Sequence, residues 1–128
     1  MDADLTRIEI EIRPDASLVR LLRLVASGVA SLAGMDVDEV DDCRAAVDEL
    51  CAALIEVGDG GPLHVEFSTD GSIVRVRGSV SAGDGGGLDA ARHELSELIL
   101  GAVVDDHILV VDPPTARFEF SKRAGAQR

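Results

Sequence analysis

The chain contains no tryptophan or tyrosine and only three phenylalanines. Whatever core it builds must therefore be aliphatic. Basic residues are scarce: a single lysine, Lys122, and 11 arginines stand against 24 acidic residues, a formal charge of −12. Binding a nucleic acid through its phosphates needs the opposite sign, so that class of partner is set aside. An acidic surface suits a basic protein partner better. Cysteine is nearly absent. Cys43 and Cys51 lie eight residues apart in one helical pattern, about 12 Å at the rise of an α-helix and too far for a disulfide. Both read as buried, reduced thiols. His64, His93 and His107 fall on three separate elements, so no set with metal-ligand spacing emerges. No apolar run approaches the roughly 20 residues that span a bilayer. The first residues also lack the basic-then-apolar order of a secretory leader. The expected location is the cytoplasm, with no membrane contact.

What is present suffices for one folded unit. The 128 residues are 46% hydrophobic, enough for the core of one domain and too few for two. That domain is expected over residues 1–122, with 123–128 as a frayed tail.

Local patterns supply the elements. Leu5 to Ile12 alternate, with Ile8, Ile10 and Ile12 on one face and Arg7, Glu9 and Glu11 on the other, a strand with one wet face. From Ala16 to Ala33 the spacing predicts a helix on a face of Leu18, Leu21, Leu22, Val25, Val29 and Leu32, stopped by Gly34. Asp36 followed by Glu39 forms a capping-box pattern. It opens a helix that buries Val40, Cys43, Val47, Leu50, Cys51 and Leu54 and ends at Gly58. Leu63 to Phe67 and Ile73 to Val80 are strands joined by a hairpin at Asp70-Gly71. A third helix is expected from Leu88 to Val103 on Leu88, Ala91, Leu95, Leu98, Ile99 and Ala102. Strands at His107 to Val111 and Ala116 to Lys122 close the chain around Pro113-Pro114-Thr115.

The order is β-α-α-β-β-α-β-β. Consecutive helices and two hairpins exclude an alternating parallel sheet. The economical fold is α+β, a two-layer α/β sandwich with helices on one face of a mostly antiparallel sheet.

Glu49 stands out on the second helix. On a helical wheel it points away from the apolar face, on a stripe with Asp42, Ala46, Ala53 and Glu56. By itself it reads as a solvated carboxylate. The glycines from Gly83 to Gly87 lack the Gly-Lys-Ser/Thr of a phosphate loop and read as a connection. The acidic run from Asp36 to Asp42 suits a helix N-terminus. No Ser-His-Asp or Cys-His set has an assignable spacing.

The segment Ala46-Val47-Asp48-Glu49-Leu50-Cys51-Ala52-Ala53-Leu54, preceded by RPDASLVRLLRLVASGVASLAG, resembles the N box of the anti-sigma-factor serine kinases. These belong to the GHKL superfamily of histidine kinase-like ATPases, whose nucleotide site is the Bergerat fold. The resemblance runs faintly through the closing TARFEFSKR. It implies a catalytic role for Glu49, which aligns with the N-box glutamate. Ala53 falls where the family has the asparagine that holds Mg²⁺ and the triphosphate. Gly78 falls where an aspartate would read adenine, and Asp84-Gly85 supply that motif only after a shift of several residues. Where a Gly-x-Gly-Leu phosphate motif would stand, the chain has Ala91-Arg92-His93-Glu94. The positions Glu49, Ala53, Gly78, Asp84 and Gly85 thus form a degenerate nucleotide site. The resemblance then implies a regulator of transcription that binds a sigma factor or a STAS-type antagonist, with pairing into homodimers, and without ATP or Mg²⁺. Two other readings stay open: an active ATP-dependent serine kinase, and a non-catalytic adaptor on the same fold.

Overall fold

In a computed structural model, residues 5–83 and 89–125 are described. They form β1 (Thr6–Ile12), α1 (Ala16–Leu32), α2 (Val37–Val57), β2 (Leu63–Asp70), β3 (Ile73–Ser81), α3 (Ala90–Val103), β4 (Asp106–Asp112) and β5 (Thr115–Arg123). The strands make one sheet in the order β1-β2-β3-β5-β4, and every neighbouring pair is antiparallel. The three helices cover one face, so the α+β two-layer arrangement expected from the element order is the one observed.

Alternation sets the sheet's inner face. Ile8, Ile10 and Ile12 of β1 point toward the helices, as do Leu63, Val65 and Phe67 of β2 and Val74, Val76 and Val80 of β3. The polar alternates Glu9, Glu66, Arg77 and Glu119 form one row across the other face. The β2–β3 hairpin turns one residue later than expected, on Gly71 and Ser72.

The start of α2 confirms the capping box. Asp36 accepts the Glu39 amide at 2.8 Å, and the Asp36 amide donates to Glu39 Oε1 at 2.9 Å. Glu39 is itself buried, and its Oε2 accepts the Gly125 amide at 2.7 Å. One carboxylate therefore closes the helix and pins the chain beyond β5. That corrects the expected fraying from residue 123: Arg123 is the last residue of β5, and the Ala124 amide donates to the Ser72 carbonyl at 2.7 Å.

Two helices sit rotated from the faces expected of them. In α1 the buried residues are Val19, Leu22, Ala26, Val29 and Ala30, while Leu21 and Leu32 face solvent. In α3, which begins at Ala90 with Asp89 as its cap, the buried residues are Ser96 and Leu100. Leu95 and Leu98, expected in the core, are 54% and 69% exposed. The reason lies in α2, which runs between α1 and α3. Its flank toward α3 is made of the small residues Ala46 and Ala53, both fully buried. A flank of methyl groups admits a helix at close range, and the small Ser96 fits there better than a leucine. Cys43 and Cys51 are buried and free, as the spacing implied.

Candidate functional site

Among the described residues, the polar partners of Glu49, on α2, are Ser96 and Arg92 of α3. The capping box fixes where α2 starts, and with it which side chains follow one another along the flank. Asp42, Glu49 and Glu56 recur at seven-residue intervals, two helical turns each, so all three look the same way. The helix α3 runs antiparallel along this row. Val103, at its end, lies near Asp42, Ser96 lies against Glu49, and Arg92, in its first turn, reaches Glu56.

The middle of the expected exposed stripe is therefore covered, while Asp42 and Glu56 at its ends stay open to solvent. Ala46 and Ala53 are sealed, and the Glu49 side chain keeps only 15% of its exposure. Ser96, itself 1% exposed, donates its hydroxyl to Glu49 Oε2 at 2.5 Å. Arg92 Nε stands 3.8 Å from the same oxygen, and its Nη1 lies 3.9 Å from Glu56 Oε1. Glu49 is thus not an openly solvated carboxylate. Its acceptor oxygen already holds a hydroxyl and faces a guanidinium.

The far end of α3 has its own clamp. Lys122 projects inward from β5 and donates to the Val103 carbonyl at 2.8 Å, with Asp42 Oδ2 at 3.3 Å. A cation at a helix C-terminus meets the negative end of the helix dipole and satisfies an orphan carbonyl. The only lysine in the chain thus joins β5, α3 and α2.

Two of the positions that the resemblance assigns to a nucleotide carry no polar side chain and are enclosed by packing. Ala53 has no ligating atom, and its methyl group is buried against neighbouring side chains. Gly78 lies in the middle of β3 on the inner face, opposite Phe118. A Cβ built there would stand 2.3 Å from Phe118 Cε2 and 2.5 Å from Cζ. The ring occupies the space an aspartate would need, so the glycine is a packing requirement. Asp84 and Gly85 lie outside the described residues, as does most of the glycine run. The segment Ala91-Arg92-His93-Glu94 is regular helix, and its arginine faces the N-box position.

Of the five sequence-selected positions, Glu49 and Ala53 share one flank, while Gly78 lies in the sheet beneath. Ser96, Arg92 and Lys122 escaped the sequence reading. Two signals pointed toward them: a lone lysine in an acidic chain, and alanines seven residues apart beside a glutamate. Burial pushes the Cys43 and Cys51 thiols up to about 12, which keeps both protonated and unreactive as nucleophiles at neutral pH. Among the described residues no group of three or more His, Cys, Asp or Glu could hold a metal ion, and no helix is long and apolar enough to cross a membrane.

No protein-family model matches the chain, and no curated protein matches it in sequence. Solved structures do match. One is the crystal structure of the RsbU and RsbW domains of Rv1364c from Mycobacterium tuberculosis, with a TM-score of 0.71 at 17% identity. The match covers 92% of this chain and 32% of that one, so the chain spans about a third of its neighbour's length. At that identity the likeness establishes the fold.

Proposed function

We propose that the chain is an anti-sigma-factor-like regulator that works by holding a protein partner, on a Bergerat-type fold whose nucleotide site has been closed from within. The partner in this reading is a sigma factor or a STAS-type antagonist, and the chain is not a working kinase. One observation carries it: α3 lies on the flank that holds Glu49 and Ala53, with Ser96 and Arg92 occupying the carboxylate. A base in phosphoryl transfer needs a positioned phosphate and a metal beside it to neutralise the developing charge. Among the described residues of this flank Ala53 offers no side-chain ligand for a metal, Arg92 is turned to Glu49 and Glu56, and α3 lies along α2.

The charge balance supports a binding role. A surface of −12 accelerates encounter with a basic protein and discourages encounter with nucleic acid. The likeness of the fold to the neighbour's RsbW domain supports this reading. The test is reconstitution with purified sigma factors and STAS proteins of the native cell, with and without ATP and Mg²⁺. A stable complex indifferent to nucleotide is expected. A complex that forms only with ATP, or phosphate transfer to a STAS serine, would defeat the reading in favour of the kinase.

A further inference from the structure

The sheet has two edges, and they are protected differently. Strand β1 alternates its isoleucines with Arg7, Glu9 and Glu11. Charges along an edge discourage another strand from pairing there. Strand β4 pairs with β5 alone among the described residues. Its central stretch, residues 107–111, contains no Asp, Glu, Lys or Arg. Ile108 is 48% exposed on the open face, and Leu109, Val110 and Val111 are half-buried. Exposed aspartates, Asp106 and Asp112, bracket this stretch. A groove of about 330 Å³ borders Ile108 on the open face, with Arg75 and Ser121 in its wall.

We propose that β4 is an acceptor edge, which takes an extended segment of a cationic protein partner as a sixth strand. An unpaired row of amides and carbonyls supplies main-chain affinity, and the side chains facing the newcomer supply selectivity. Asp106, Ile108, Val110 and Asp112 share one face, because side chains alternate along a strand. The preferred segment therefore places Lys or Arg at both ends of a seven-residue stretch, with apolar residues between them on that face. Opposite charges directly across a strand pair attract, and like charges repel. The same rule disfavours a second copy of this chain. Two β4 edges paired about Leu109 would set Asp106 against Asp112 twice, between molecules that each carry −12. This inference rests on the sheet edge and is independent of the closed nucleotide site.

The test uses the whole chain and a synthetic acetylated, amidated heptapeptide, Lys-Thr-Val-Thr-Val-Thr-Lys. Two further versions are N-methylated, one at its odd and one at its even positions. Amide chemical shifts and hydrogen exchange report the site. The unmodified peptide should shift and protect the amides of β4, and one methylated version should lose binding while the other keeps it. Ile108→Lys, and Asp106→Lys combined with Asp112→Lys, should each weaken binding at least about tenfold. The double variant should instead favour a peptide ending in glutamates. The proposal is overturned by equal binding of all three peptides, by shifts confined to other elements, or by no binding at about 1 mM peptide. It is equally overturned if the chain alone forms a dimer that Ile108→Lys dissolves. The methylated peptides need no variant, so the test survives a substitution that fails to fold.

Discussion

Replacing Ser96 by Ala removes one oxygen and nothing else, and what that oxygen does decides whether α3 is truly seated on α2. Its hydroxyl donates to Glu49 Oε2 from a position 1% exposed, where water cannot step in without opening the seam. Hydrogen bonds to a charged group are worth about 1.5–3 kcal/mol, and a buried carboxylate left short of a donor loses at that scale. Two features pull the figure toward the lower end. The Glu49 side chain keeps 15% exposure, and Arg92 stands 3.8 Å away. We therefore expect Ser96→Ala to cost about 1–2 kcal/mol in urea unfolding. Glu49→Gln should cost about 1 kcal/mol, because the amide retains an acceptor but surrenders the charge. Partners in one network do not add, so the double variant should show a coupling of about 0.5–1.5 kcal/mol. If Ser96→Ala costs less than about 0.5 kcal/mol and the cycle shows no coupling, Ser96 and Glu49 are independent surface groups. The account of a closed flank would then be wrong.

Three more expectations follow from the packing. Gly78→Ala should destabilise by about 1–3 kcal/mol or more, because its Cβ would lie 2.3 Å from the Phe118 ring; thermal denaturation measures it, and an unchanged midpoint would show that the ring does not rest there. Glu39→Ala removes the capping box and the acceptor for Gly125 together, so a loss of about 2–4 kcal/mol is expected, with faster exchange at the Gly125 amide. Cys43 and Cys51 should resist a thiol reagent at pH 8 in the folded chain and react only on unfolding. Because their folded values are raised from 9.0 to about 12, the stability they contribute is complete below pH 9 and falls as pH rises from 9 toward 12. Rapid native labelling at pH 8 would contradict their burial.

Legibility in the sequence tracked how local each cause was. The wet and dry faces of β1, the capping box of Asp36 and Glu39, and the stop at Gly58 depend on residues a few positions apart, and all appear as read. The faces of α1 and α3 do not. Helix α1 carries leucines nearly all round, so periodicity alone cannot choose between Leu21 and Val19. Helix α3 has a convincing apolar stripe in Ala91, Leu95, Leu98 and Ala102, and yet it seats Ser96 and Leu100. Its choice is made by Ala46 and Ala53, on an element more than thirty residues earlier. The partner of Glu49 was invisible for the same reason, since Ser96 lies 47 residues away in sequence. The departures from the family pattern that the sequence resembles were legible at once: Ala53 and Gly78 announce themselves by type. The structure adds the physical reason, a buried methyl group in one case and the ring of Phe118 in the other.

The central claim is that this fold has closed its own nucleotide site, and calorimetric titration tests it most directly. ATP and ADP are added to the folded chain with Mg²⁺, and Ser96→Ala is run alongside. The account predicts no saturable heat for the unaltered chain, a dissociation constant weaker than about 1 mM. A constant in the low micromolar range, with one nucleotide per chain, would contradict it and return Glu49 to catalysis.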